Sequence, residues 1–237
     1  MEYLWIYIIG GGISVAIVVF CWQHFSFFPE KVSQTKKIIL RKRYWLYYAL
    51  TFMGGARRQI FVVFAGFLMV EKFGYSVRDV ATLYLINHLF NWAFAGRIGA
   101  LVGRIGERRA LTFEYCGLIC VFTAYAFVDN AYWAAGLYLL DHLFFSLAIA
   151  IKTYFQKIAD PADMASTAGV AFTINHIAAV VIPALFGLVW LVSPTAVFLM
   201  GTGMAAISLV LALNIPLNPT AGNEVVMGRV TTVAPAL

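Results

Sequence analysis

Two arginines, an aspartate and a repeated tripeptide stand where this chain is otherwise apolar. Arg57 and Arg58 lie inside one long apolar run, and Asp141 and His142 inside another. Ile-Asn-His occurs twice, as Ile86-Asn87-His88 and as Ile174-Asn175-His176, 88 residues apart. Ionisable groups are expensive in hydrocarbon, so they face a bundle interior or a watery cavity and mark solute or ion pathways. An arginine held there can bind an anion or gate a passage. A carboxylate can pair with it or carry a coupling proton, because its pKa responds to burial and to nearby charge. The candidates for substrate contact or coupling are Arg57, Arg58, Asp141, His142, Asn87, His88, Asn91, Asn175 and His176. Asn87 and Asn91 are one helical turn apart and form a polar stripe with Tyr84 and His88. The structural alternative for that stripe is interhelical hydrogen bonding, worth about 1–2 kcal/mol per contact at most.

Little else in the chain is equipped for chemistry. Cys21, Cys116 and Cys120 sit in apolar runs, and an odd number of cysteines there is no disulfide framework. His88, His142 and His176 lack the i, i+4 pairing of a single-helix metal site. Gly10-Gly11-Gly12 lies inside a helical run instead of following a strand, so it is no nucleotide loop. No hydrolase, kinase or phosphate-loop motif is visible. The expectation is a protein that is not an enzyme and takes no cofactor or metal.

The elements that must position these residues are membrane helices. Of 237 residues, 62% are hydrophobic and only 12% are charged, against about a quarter charged in a soluble domain. A spanning helix needs about 20 mostly apolar residues. About seven such runs occur, at 3–28, 44–70, 80–102, 110–128, 131–155, 164–192 and 195–213. None alternates with period two, so barrel strands are excluded. The expected organisation is a lone helix over 1–30, a basic cytoplasmic linker over 31–43, a six-helix block over 44–213 and a disordered or loosely attached cytoplasmic tail over 214–237. Pro183 is expected to kink its helix, and Gly54-Gly55 and Gly99-x-x-x-Gly103 to let helices approach closely.

Lysine and arginine orient the chain. Lys31, Lys36, Lys37, Arg41, Lys42 and Arg43, then Arg104, Arg108 and Arg109, then Lys152 and Lys157 fall on one side; Lys72 and Arg78 fall on the other. The richer side is expected to be cytoplasmic, with the N-terminus outside and the C-terminus inside. The net charge of +6 reflects this bias and does not indicate a nucleic-acid partner. The lipid bilayer is the expected partner.

Shifting 84–99 by 88 residues lays Tyr84-Leu-Ile-Asn-His-Leu on Phe172-Thr-Ile-Asn-His-Ile and Gly99 on Gly187. The six-helix block therefore reads as three helices repeated. An odd number of spans per repeat makes the two copies opposite in orientation, the inverted repeat of many secondary transporters. Between the second and third helices of the block the chain reads Gly99-Ala-Leu-Val-Gly103-Arg104-Ile-Gly106-Glu107-Arg108-Arg109. This resembles the cytoplasmic loop signature of the major facilitator superfamily, roughly G-x-L-x-D-R-x-G-R-R. Gly99, Leu101, Arg104, Gly106 and Arg108 match, and Gly103 stands where the family has an acid.

The resemblance implies an all-α integral membrane protein in which 3–28 is similar to the sixth family helix and the six-helix block to helices seven to twelve. It implies the C-terminal portion of a secondary active transporter that moves a small solute by alternating access, is proton-coupled and needs a missing N-terminal half or partner half. Arg57, Arg58 and three histidines outnumber Asp141, which leans the substrate expectation toward a small organic anion. In this mapping Asp141 is the natural partner of Arg57 or Arg58, and Gly99, Arg104, Gly106 and Arg108 form a gating loop. Glu114 is expected to reach back to Arg104 or Arg108. The alternative reading is a non-transporting membrane subunit or scaffold that pairs with another helical half. A seven-helix retinal protein is disfavoured, since 195–213 contains no lysine.

Overall fold

The computed structural model describes residues 2–25, 32–35 and 37–228. The expected basic linker is thus only partly described: Lys31 and Lys36 lie outside, as does the end of the tail from 229 onward. Two units separate along the chain, one of residues 1–33 and one of residues 34–237. The first holds α1 (Glu2–His24), 23 residues long and exposed on every face that is described.

The second unit is all helical among its described residues: α2 (Trp45–Gln59), α3 (Gly66–Glu71), α4 (Val77–Ile105), α5 (Glu107–Phe127), α6 (Ala131–Phe145), α7 (Ile149–Ile158), α8 (Met164–Trp190) and α9 (Pro194–Leu213). A π-helical turn over Ile60–Ala65 joins α2 to α3, and a 3-10 turn over Ser146–Ala148 joins α6 to α7. Each of these two composite helices is therefore one span. Including α1, six helices are long and apolar enough to cross a membrane among the described residues. The remaining expected span, 80–102, is α4. It has 29 residues, ample length, but Arg78, Asp79, Asn87, His88, Asn91, Arg97 and Arg104 interrupt its apolar run.

The repeat seen in the sequence is also a repeat of packing. A shift of 88 lays α2 and α3 on α6 and α7, α4 on α8, and α5 on α9. The helix pairs obey it: α2 packs on α8 as α6 packs on α4, and α2 packs on α9 as α6 packs on α5. The most extensive pair, α5 with α9, is its own equivalent under that exchange. Both first helices lose regular α geometry at neighbouring places, since residues 146–148 correspond to 58–60 and meet the π-helical turn at Ile60. Irregular turns inside long helices recur at functional sites.

Local chemistry sets the helix ends. Ser76 and Asp79 form a reciprocal capping box at the start of α4. Asn130 caps α6 and Ser193 caps α9 through their side chains. Gly106, at φ 85°, turns the chain between α4 and α5, a left-handed conformation that glycine adopts without strain.

Gly55 meets the expectation of close packing: a Cβ there would lie 2.6 Å from Asn175 Oδ1 and 3.4 Å from the Ala178 Cβ, so α2 and α8 touch at this point. Gly99 and Gly103 do not, because nothing lies within 4 Å of where their Cβ atoms would be. Pro183 sits inside the continuous helix α8, and the departures from α geometry fall elsewhere. The tail also differs from expectation as far as residue 228. Asn214 accepts from Met227 N–H at 2.7 Å and donates to Met227 O at 3.1 Å, and Val225 is buried. An amide side chain that satisfies the backbone of a returning segment holds it as a turn would.

Candidate functional site

Arg57 sits twelve residues into α2 from Trp45, about 18 Å along the helix axis. Its side chain is 1% exposed. Helical side chains lean toward the N-terminus, which carries the guanidinium from α2 back along the bundle. Glu114 of α5 meets it there: Arg57 Nη1 lies 3.6 Å from Glu114 Oε1, with Glu114 0% exposed. That separation is an ion pair without a hydrogen bond. The guanidinium also stands over the Tyr115 ring, 4.3 Å from its centroid, and its Nε donates to Met53 O at 3.3 Å. Asp141 of α6, 2% exposed, acts electrostatically on Arg57 and on Glu114.

The cluster is charged, buried and unsatisfied. Arg57 Nη1 and Nη2, both Glu114 carboxylate oxygens, Asp141 Oδ1 and the Tyr115 hydroxyl make no hydrogen bond to any described group. An ion pair about 4 Å apart gains about 4 kcal/mol at an effective dielectric near 20. Removing each ion from water costs several kcal/mol. One guanidinium therefore roughly offsets one carboxylate, and the second carboxylate is left uncompensated unless it holds a proton. Two buried acids near one base, with most of their polar atoms lacking a hydrogen-bond partner among the described groups, form an arrangement that can exchange a proton.

Glu114 corrects the sequence reading: it does not reach back to Arg104 or Arg108 but faces inward. The signal for this was available. Leu111, Leu118, Val121 and Tyr125 are buried on the same stripe of α5, so Glu114 lies on the core face. Tyr115 and Tyr125 were not singled out either.

Arg58 goes elsewhere. One residue turns a helix by about 100°, so Arg58 is exposed, 5.8 Å from the Phe145 ring centroid. Its electrostatic neighbour is the half-buried His142, whose ring is 5.7 Å from that of His88. Tyr84 packs edge-on against His88 at 4.3 Å, and Phe61 lies 6.1 Å from His142. Arg58, His142 and His88 thus bring cationic or proton-accepting groups from α2, α6 and α4 together. His176 packs instead against Phe172 of its own helix, the rings tilted by 32°. The three histidines do not converge, and among the described residues no group of His, Cys, Asp or Glu could hold a metal ion.

The asparagines of the twin motif stand at equivalent helix crossings, Asn87 buried and Asn175 exposed. Asn87 is buried and its Nδ2 lies 3.5 Å from Tyr138 O, from α4 to α6. Asn175 Oδ1 rests against Gly55, from α8 to α2. Each faces the first helix of the other repeat. Asn91 is half-buried on α4.

At the end where α2 begins, the loop between α4 and α5 is fastened to the second repeat. Lys157 Nζ is 2.7 Å from Glu107 Oε1. Arg104 is exposed and Arg108 half-exposed beside the turn at Gly106; Gly99 lies further back in α4. Arg41 donates to Asp163 Oδ1 from Nε at 3.2 Å and Nη2 at 2.9 Å. That hydrogen-bonded pairing holds the Arg41 guanidinium above its usual pKa.

An all-helical bundle with an internal three-helix repeat, spans long enough for a bilayer and charges buried at mid-depth defines a polytopic membrane protein of the transporter kind. The sequence profile of the Major Facilitator Superfamily matches residues 2–183. The chain belongs to that superfamily, whose members are transporters. No curated protein and no solved structure matches the chain.

Proposed function

We propose that this chain is the C-terminal portion of a proton-coupled secondary transporter that moves a small organic anion by alternating access. In this reading α1 is the sixth family helix and α2 to α9 supply helices seven to twelve, working against a second helical half. The observation that carries the coupling is the buried group of Arg57, Glu114 and Asp141, in which Arg57 lies 3.6 Å from Glu114 without a hydrogen bond and the buried Asp141 acts electrostatically on both. A proton on Asp141 leaves Arg57 to Glu114. Its loss draws Arg57 between two negative charges on α5 and α6. The pairing then differs with protonation, which is what a coupled conformational change requires.

Support for an anion comes from Arg58, whose charge acts on His142, and from His88, whose ring lies 5.7 Å from that of His142. The membrane is the cell or inner membrane. The basic end, with Arg41, Lys42, Arg43, Arg104, Arg108, Arg109, Lys152 and Lys157, is cytoplasmic, against Lys72 and Arg78 opposite. Gly99, Arg104, Gly106 and Arg108 serve the loop that moves as the cytoplasmic side opens.

The test is uptake into vesicles under an imposed proton gradient, with the chain present alone and with its second half. The expected result is gradient-driven uptake of a carboxylate only with both halves. Asp141→Asn should abolish the dependence on the gradient while substrate exchange continues, and Arg58→Ala should weaken anion uptake about tenfold, the loss of one charge-assisted contact. Uptake by the chain alone overturns the half-transporter reading, and gradient-driven uptake in Asp141→Asn overturns the coupling.

A further inference from the structure

The segment that follows α9 turns back across the basic end of the bundle. Val226 N–H donates to Asn214 O at 2.9 Å, and the Asn214 side chain holds Met227, so the return is tied to the end of α9. From there the segment reaches two other elements. The Tyr154 hydroxyl of α7 donates to Glu224 O at 2.6 Å. Arg43, just before α2, brings Nη2 to 3.0 Å from Glu224 Oε1, and the same nitrogen donates to Ile158 O at the end of α7 at 3.2 Å. Gly222 N–H also donates to Glu224 Oε1, at 2.9 Å, which orients the carboxylate from within the tail. Trp45 Nε1, at the start of α2, donates to Gly228 O at 3.3 Å.

The helix held in this way has a weak point along its span. α7 is ten residues long and continues α6 through the 3-10 turn Ser146–Ala148. A 3-10 stretch inside a long helix often marks a hinge, because its hydrogen bonds have poorer geometry. Past that turn, Phe155 seats α7 on the segment that begins α2, stacked on the Tyr47 ring at 4.4 Å and edge-on to Tyr44 at 5.4 Å. Beyond Phe155 the end of α7 is held by polar contacts, Ile158 O by Arg43 and Lys157 by Glu107. The Arg43 and Glu224 side chains are 24% and 13% exposed, so water competes for their contact. The tail holds no helix among its described residues beyond Leu213, and its release therefore breaks no helical hydrogen bonds.

We propose that the tail segment 214–228 is a latch on α7. Docked, it holds α7 against α2 and the basic end stays closed. Released, it lets α7 swing about the 3-10 turn, and the basic end opens on that side. The latch thus sets how often the basic end opens, with Tyr154, Glu224 and Arg43 as its catch and Asn214 as its anchor. The meaning of this opening for transport rests on the alternating-access reading; the swing of α7 itself does not.

The test measures the distance between spin labels at Lys152 of α7 and Arg109 of α5, both exposed. Pulsed electron resonance reads it on the full chain in lipid nanodiscs, with Cys21, Cys116 and Cys120 replaced by alanine. The double variant Tyr154→Phe, Glu224→Ala removes the catch. The expected result is a second, displaced distance whose share relative to the first grows about tenfold, the scale of one lost charged and one lost neutral hydrogen bond. Asn214→Ala leaves the catch residues intact and frees the anchor; it should raise the same share, and it serves if the double variant does not fold. Arg41→Ala removes the pair with Asp163 at the same end and should leave the distribution unchanged. A wild-type distribution in the folded latch variants overturns the latch, and so does an equal shift in Arg41→Ala. Neither result bears on the half-transporter reading, which uptake with and without the second half decides.

Discussion

Charged residues meet in two places in this bundle, and the two places obey different physics. At the basic end, Arg41 pairs with Asp163, Arg43 with Glu224 and Lys157 with Glu107, at 2.9, 3.0 and 2.7 Å. Each cation keeps an exposed flank, and the partners also bind backbone: Arg43 reaches Ile158 O, and Tyr44 accepts from Asp160 N–H. In the interior Arg57 has one backbone contact, Nε to Met53 O at 3.3 Å, while Nη1, Nη2 and both Glu114 oxygens have no hydrogen bond to a described group and almost no exposure. The first set fastens the segment before α2 to the start of α8 and to the tail segment, and α7 to α5, at modest gain, since half-exposed pairs are screened. The second is costly to keep. A costly arrangement of two acids and one base suits a group that must change charge, whereas a fastening needs none of that expense.

The comparison can be broken most sharply at Arg57. Arg57→Met strands two carboxylates, and the loss of stability should reach about 3–5 kcal/mol, read by thermal unfolding in detergent. The triple variant Arg57→Met, Glu114→Gln, Asp141→Asn should recover most of that loss, because no charge remains buried. Equal unfolding temperatures for the single and triple variants would show that the three residues are not one electrostatic unit. Glu114→Gln alone leaves one carboxylate for one guanidinium, so it should shift stability by under about 2 kcal/mol in the same assay.

At the basic end the effects should be smaller. Arg41→Ala, with Arg41 43% exposed, should change stability by about 0–1 kcal/mol, and raising the salt concentration should shrink the difference. The smallest effect concerns the capping box of α4. The Ser76 hydroxyl and backbone N–H hold Asp79 below the usual aspartate value of 3.8. A depressed folded-state pKa contributes stability that is complete above the unfolded value and is lost as pH falls through the folded one. The first turn of α4 should therefore fray only below about pH 4, seen as faster amide exchange at Ser76. Asp79→Asn should show the same fraying at neutral pH.

Much of the fold is legible in the sequence because lipid imposes it. Backbone groups must pair within each span, so apolar runs of sufficient length identify the helices, and the twin Ile-Asn-His sets the repeat. Arg57 and Asp141 are visible for the same reason, being too expensive to bury without purpose. Other features depend on helix rotation and crossing. Glu114 lies near enough to the start of α5 to reach either the interface or the core. Which neighbour packs against its stripe decides, and α5 turns that stripe toward α2 and α6. The glycine motifs divide similarly: Gly55 meets Asn175 across a tight crossing, and Gly99 and Gly103 meet nothing.

By itself the sequence determined that this is a helical membrane protein, where its spans run, that six of them form a repeated set of three, and that it resembles a transporter superfamily. These follow from composition and periodicity, which act along the chain. The tertiary structure alone decided that one arginine of an adjacent pair is buried against Glu114 with Asp141 acting on it, while the other stands exposed with His142 as its electrostatic neighbour. It also decided that the tail returns to Arg43, Tyr154 and Asn214. These are matters of which faces meet, and a face acquires its neighbour only when helices distant in sequence pack together.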